Sequence, residues 1–271
     1  MCTKLARAVF AMTLAATTLS AVEIIAHRGA SYDAPENTLA SMRLAWEQRA
    51  DAIELDLWLS KDGRLVVIHD ADTKRLGGPA RRIAEQTWKE IQRLDVGAWK
   101  DPRFKGERVP ALESILATIP PGRRAVLEIK CGPEILPELE RALAQAAKTP
   151  EEIAIIAFDF DTLRRSKETL PQFPHYWLQS YKKDAKTGRP PEFAPILAQA
   201  LTARFDGLNL HFDWPIDAAF VAQLRAAQLK LLVWTVNDPR VARRLVDAGV
   251  DGITTDRPQW LRERLQESGD L

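Results

Sequence analysis

Residues 53–59 read Ile53-Glu54-Leu55-Asp56-Leu57-Trp58-Leu59, a strict alternation that sends Glu54, Asp56 and Trp58 to one face of a strand and the apolar residues to the other. A parallel strand covered on both faces normally reads as an unbroken apolar run. Two carboxylates buried on one face are costly unless a cation compensates them. The pattern therefore predicts a strand whose acidic side lines the inside of a barrel while its leucines pack outward. A half-exposed strand facing solvent would alternate in the same way, so the surrounding chain has to decide.

Working outward, short β-rich runs alternate with amphipathic stretches, which is the signature of parallel βα units. Strands are expected at Glu23–Ala26, Ala52–Leu59, Arg124–Lys130, Ile153–Phe158, His175–Leu178, Gly207–Leu210, Leu229–Thr235 and Gly252–Thr254. Between them Leu39, Met42 and Trp46 recur at helical spacing, as do Phe220 with Leu224, and Val241 with Leu245 and Ala248. Asp238-Pro239 and Arg257-Pro258 place proline in a first helical turn, and Gly249 stands where a left-handed cap is needed. About eight strands and eight helices make an α/β protein of the TIM-barrel kind, (β/α)₈. One domain over 22–271 follows, with a small insertion at about 70–110, after the second strand and an extra short run Leu65–Ile68. That insertion has no strong strand of its own and is expected to lie over the open face, where the loops after the strands build the functional site.

Bulk properties exclude more than they identify. Lys plus Arg number 38 against 37 for Asp plus Glu, so no electrostatic footprint for nucleic acid or an anionic membrane exists. No apolar run approaches the ~20 residues of a spanning helix, which argues against stable membrane insertion. Met1–Ala21 places Lys4 and Arg7 before an apolar stretch, Ala8 to Leu19, and small residues after it, the layout of a secretory signal peptide rather than a plain helical leader. Cys2 precedes the apolar stretch and so is no lipoprotein cysteine; without the leader only Cys131 remains. Export without an internal disulfide points to a bacterial periplasm or exterior, with the cytoplasm as the alternative.

A second strand repeats the anomaly of the first. In Val126-Leu127-Glu128-Ile129-Lys130, Glu128 and Lys130 share a face. Glu54, Asp56 and Glu128 together form an all-oxygen set suited to one hard divalent cation, Ca²⁺ or Mg²⁺. His27 follows the first strand and His69 ends the run Val66–His69, both at strand ends. One such histidine would be read as a satisfied core-edge residue; two beside three lumen carboxylates are candidates for acid–base work. His175 and His211 lack that company and are read as structural or surface residues. Arg28 and Lys130 rim the site, able to bind phosphate oxygens or to pair with the same carboxylates. Gly29 is expected to let the backbone approach a phosphate.

Ala26-His27-Arg28-Gly29, then Pro35-Glu36-Asn37-Thr38, Glu54-Leu55-Asp56 and His69-Asp70, in this order and spacing, resemble the glycerophosphodiester phosphodiesterase family. The resemblance continues through Leu127–Lys130, Trp234–Asn237 and Gly249–Asp256. It implies hydrolysis of a small-molecule glycerophosphodiester to sn-glycerol 3-phosphate and an alcohol. Glu54, Asp56 and Glu128 would hold the cation, and His27 and His69 would serve as base and acid, in either direction. Glu36 and Asn37 would support Arg28 and its loop, while Trp234 would wall the glycerol carbons or simply pack in the barrel. Where the family commonly has a serine, this chain has Ala157, which is expected to remove a polar contact from the site. Cys131 is read as a buried small residue, not a nucleophile. The alternatives are a phosphodiesterase of the lysophospholipase D or sphingomyelinase D kind, marked by an acyl groove at the open face, and a catalytically silent binding barrel. The oligomeric state stays open.

Overall fold

The computed structural model describes residues 22–267; the expected signal peptide at 1–21 lies outside them. The strands are β1 (Glu23–Ala26), β2 (Ala52–Leu59), β3 (Leu65–Val67), β4 (Arg124–Ile129), β5 (Ile153–Ala157), β6 (His175–Gln179), β7 (Gly207–His211), β8 (Lys230–Trp234) and β9 (Gly252–Thr255). All but β3 run parallel and close into a ring, because β1 pairs with both β2 and β9. β3 pairs antiparallel with β2 and hangs outside the ring. The helices are α1 (Leu39–Glu47), α2 (Trp88–Ile91), α3 (Leu112–Leu116), α4 (Leu136–Gln145), α5 (Phe160–Thr169), α6 (Phe193–Thr202), α7 (Ala218–Ala226), α8 (Pro239–Ala248) and α9 (Pro258–Glu267). Apart from α2, each follows one barrel strand, and the (β/α)₈ expectation holds with strand ends shifted by a residue or so.

The alternation in β2 and β4 sorts side chains into two layers. Ile53, Leu55, Leu57, Leu127 and Ile129 join the apolar shell between strands and helices. Ile25, Ala52, Val126, Ala154, Ile156, Tyr176, Leu178 and Leu232 fill the lumen. Each fully buried Leu or Ile contributes about 1.5–3 kcal/mol, so a one-residue slip of β2, which would swap its leucines with its carboxylates, is strongly disfavoured. Local chemistry agrees with this register. Thr38 and Ser41 form a reciprocal cap on α1, Asp238 caps α8 ahead of Pro239, and Gly249 closes it at φ 86°.

The insertion is more than a loop. Short helical turns at Lys74–Leu76, Ile83–Glu85 and Pro102–Phe104 accompany α2, and Leu76, Ile83, Ile91, Val96 and Val109 bury a small core against Val66 and Ile68. Polar contacts fasten it to the loop between β1 and α1: Lys100 Nζ donates to Ser31 O (2.8 Å) and Arg103 to Asp33 O (3.4 Å). The insertion therefore leans on the segment that carries His27 and Arg28.

Candidate active site

Register places the acids. Asp56 sits opposite Glu128 in the β2–β4 ladder, and Glu54 lies two residues back on the same face. All three are buried, and each offers an oxygen within 4.8 Å of the others. Asn37 Nδ2 donates to Asp56 Oδ2 (2.7 Å), while the Asp56 amide donates to Asn37 Oδ1 (3.2 Å). The backbone N–H of Arg28 donates to Glu54 Oε2 (2.9 Å) and its guanidinium pairs with Asp56 (3.2 Å) and Glu36 (3.1 Å). Lys130 Nζ donates to Glu128 Oε1 at 2.7 Å and stands 3.4 Å from Asp56 Oδ1. Arg28 and Lys130 thus pair with the acids, Glu36 pairs with Arg28, and Asn37 braces Asp56.

Electrostatics leave room for a cation. Burial, reinforced by Asp56 and Glu128, pushes the Glu54 carboxyl well above its ordinary value. Burial and Asp56 likewise raise Glu128 to about 7, against the pull of Lys130. Asp56 is buried too, but Arg28 and Lys130 outweigh that and hold it below the usual carboxylate range. Three carboxylates facing two cations favour protonation of one acid unless more positive charge arrives. Asp56 Oδ1 is buried without a hydrogen bond. An orphaned oxygen within an all-carboxylate set fits a hard divalent ion.

The histidines are held alike. His27 Nδ1–H donates to Asp256 Oδ1 (2.6 Å), and Asp256 also accepts from Ser31 Oγ (3.0 Å) and Asn237 Nδ2 (2.5 Å). Burial would raise the Asp256 carboxyl, yet the His27 contact, with Asn237 and Ser31, holds it at about 2. His69 Nδ1–H donates to Asp70 Oδ1 (2.7 Å), and Asp70 Oδ2 accepts from Arg75 Nε (2.5 Å). Burial lowers the His69 pKa, partly offset by Asp56. Each ring therefore keeps Nε2 for the pocket that both line. Arg75 also donates to Glu36 (2.6 Å), linking the carboxylates behind His69 and Arg28.

The pocket encloses about 130 Å³. Its charged side holds Glu54, Glu128, Arg28 and Lys130; its other wall is Ile156, Phe158, Leu178 and Trp234. Trp234 packs edge-on to Phe158 (5.4 Å) and His211 (5.1 Å), and its indole N–H donates to Asn209 O (3.1 Å). It is both pocket wall and barrel packing. His175 is buried between Ser166 and Phe173 O and pushed down to about 4, chiefly by burial, so it is neutral and structural. Burial raises the Cys131 thiol to about 11, which removes it as a nucleophile.

A Cβ on Gly29 would come within 2.6 Å of Ser41, so the packing of α1 on its own loop already requires this glycine, at φ 78°. One expectation is corrected. Ala157 belongs to the outer apolar shell; β5 turns it away from the lumen, and a serine there would meet helices rather than substrate. Sequence reasoning also missed Asp70, Asp256, Arg75 and Phe158 as site residues. The acid directly after His69 was a signal for Asp70, but Asp256 lies 229 residues from His27 and meets it only through barrel closure.

A pocket at the strand ends that sets acids, basic groups and paired histidines against an apolar wall defines a phosphoric diester hydrolase on a TIM barrel. Comparison with known proteins narrows the class. A model of the glycerophosphoryl diester phosphodiesterase family matches residues 27–260, and the chain belongs to that family. It is 34% identical over 251 residues to a glycerophosphodiester phosphodiesterase of Caldanaerobacter subterraneus, covering 91% of this chain and 98% of that one. A Bacillus subtilis glycerophosphodiester phosphodiesterase is 29% identical over 252 residues, 86% of this chain and 83% of its own. The solved structure of an Oleispira antarctica phosphodiesterase in complex with the product sn-glycerol-3-phosphate aligns with a TM-score of 0.80 at 28% identity, covering 90% and 96% of the two chains.

Proposed function

We propose that the chain hydrolyses glycerophosphodiesters to sn-glycerol 3-phosphate and an alcohol, with one divalent cation, Ca²⁺ or Mg²⁺, held by Glu54, Asp56 and Glu128. The observation that carries this reading is the pair of histidines, each held through Nδ1 by its own carboxylate, flanking three clustered acids in one small pocket. When bound, the cation supplies Lewis-acid neutralisation of phosphoryl charge. Arg28 and Lys130 bind phosphoryl oxygens and keep the ester oriented while charge builds on them. His27 accepts at Nε2 the proton of the attacking water, and Asp256 stabilises the imidazolium that forms. The new P–O bond forms as the bond to the alcohol breaks, and His69, entering the step as the imidazolium with its Nδ1–H on Asp70, delivers its Nε2 proton to the departing oxygen. The same geometry permits the two histidines to exchange roles. Trp234 and Phe158 shield the glycerol carbons from water.

Among the described residues the exposed large apolar side chains are Tyr32, Trp99, Phe158 and Leu201. Only Phe158 lines the pocket, while Tyr32 and Trp99 sit around Lys100 and Arg257. This supports the glycerophosphodiester reading over the lysophospholipase D alternative, and two oriented histidines have no use in a silent binding barrel. We further place the mature chain in the periplasm or exterior, on the leader-like Met1–Ala21; an intact N-terminus found by mass spectrometry on protein from the source cell would refute that.

The deciding experiment measures glycerol 3-phosphate release from glycerophosphocholine after chelation and then with Ca²⁺ or Mg²⁺ restored, for the wild type and Glu54→Gln. Metal-restored release in the wild type and at least 10²-fold less in the variant are expected. Full activity in chelator would refute the cation; turnover of lysophosphatidylcholine alone would favour the lipid-cleaving alternative.

A further inference from the structure

The lumen side of β7 carries a polar group that the proposed chemistry does not use. Asn209 is 98% buried, being 2% exposed, and lies in register between Leu178 on β6 and Leu232 on β8. Both neighbours belong to the apolar lumen cluster. Its Oδ1 has no hydrogen-bond partner, although buried amides are almost always satisfied. The side chain lines the same pocket as His27, His69 and Trp234, on the apolar wall opposite the charged groups. The Asn209 backbone carbonyl is occupied by the Trp234 indole, which fixes strand and ring together and leaves the side-chain amide to the pocket.

From this placement we propose that Asn209 forms a hydroxyl-binding subsite, accepting a hydrogen bond through Oδ1 from a free hydroxyl of the substrate's glycerol half. The inference rests on the glycerophosphodiester reading and refines it to esters whose glycerol carries an unsubstituted hydroxyl at that position. An apolar wall grips the glycerol carbons but cannot tell a hydroxyl from a hydrogen. One buried acceptor can, because it is left unsatisfied when the hydroxyl is missing. Leucine at 209 would be similar in volume and would match its neighbours Leu178 and Leu232, so the fold should tolerate it.

The test compares kcat/KM of the wild type and Asn209→Leu on glycerophosphocholine and on two analogues, one lacking the central hydroxyl and one lacking the terminal hydroxyl. The wild type should favour glycerophosphocholine over one of the analogues by about 10- to 100-fold. In Asn209→Leu that preference should shrink to within about threefold, with activity on the disfavoured analogue retained. Thermal unfolding at or above the wild-type temperature shows that the variant folds, and Asn209→Ala serves as a second variant if it does not. Equal losses on all three esters would assign Asn209 a purely structural role and overturn the proposal, as would a preference that survives the substitution. A wild type inert toward every ester would instead overturn the parent reading, and this one with it.

Discussion

Replacing Asp256 with Asn changes one oxygen to an amide nitrogen while keeping the size of the side chain, so it isolates what the carboxylate does for His27. The carboxyl is held at about 2 rather than its ordinary 3.8, a preference for the charged form of about 2 kcal/mol. Asn237 and Ser31 share in it, so only part of that preference belongs to His27. The larger effect is tautomeric. An asparagine amide facing Nδ1 donates to it, which drives the ring proton onto Nε2 and removes the nitrogen that must accept a proton. Losing a positioned general base costs about 10²–10⁴-fold, so kcat of Asp256→Asn should fall by that amount. Glycerol 3-phosphate release at saturating divalent cation, followed from pH 5 to 9, measures it. Asn237→Ala, which leaves the carboxylate in place, should lose less than about tenfold by the same reasoning. Activity of Asp256→Asn within about threefold of the wild type would refute the assignment of His27 as a base held by Asp256.

Arg75→Ala should lower kcat by about tenfold, because Asp70 and Glu36 lose their common partner and both His69 and Arg28 slacken. Arg75 is 43% exposed, so unfolding should shift by under about 1 kcal/mol; steady-state kinetics showing unchanged kcat would remove its positioning role, and Arg75→Lys should recover part of the loss. His175, pushed from 6.5 to about 4 by burial, binds its proton more readily in the unfolded chain. Its contribution to stability is therefore complete above pH 6.5 and lost as pH falls toward 4, about 3 kcal/mol in all; denaturant unfolding between these values should show the slope in the wild type and lose it in His175→Gln.

The alternation of residues 53–59 and 126–130 determined in advance which carboxylates face inward, because side-chain direction along a strand has period two whatever the strand pairs with. The strand ends, the α8 cap at Gly249 and the positions of His27 and His69 were legible for the same reason, since they rest on interactions within a few residues. What the chain could not reveal locally depends on closure. Asp256 reaches His27 only because β9 pairs with β1, and Arg75 joins Asp70 to Glu36 only because the insertion folds back on the β1–α1 loop. The direction of Ala157, the contact that excludes a side chain at Gly29, and the orphaned amide of Asn209 likewise follow from neighbours distant in sequence. Residue type and spacing selected the chemistry. The long-range pairing of eight strands decided which groups hold the catalytic side chains in place, since contacts between distant residues exist only once the ring has closed.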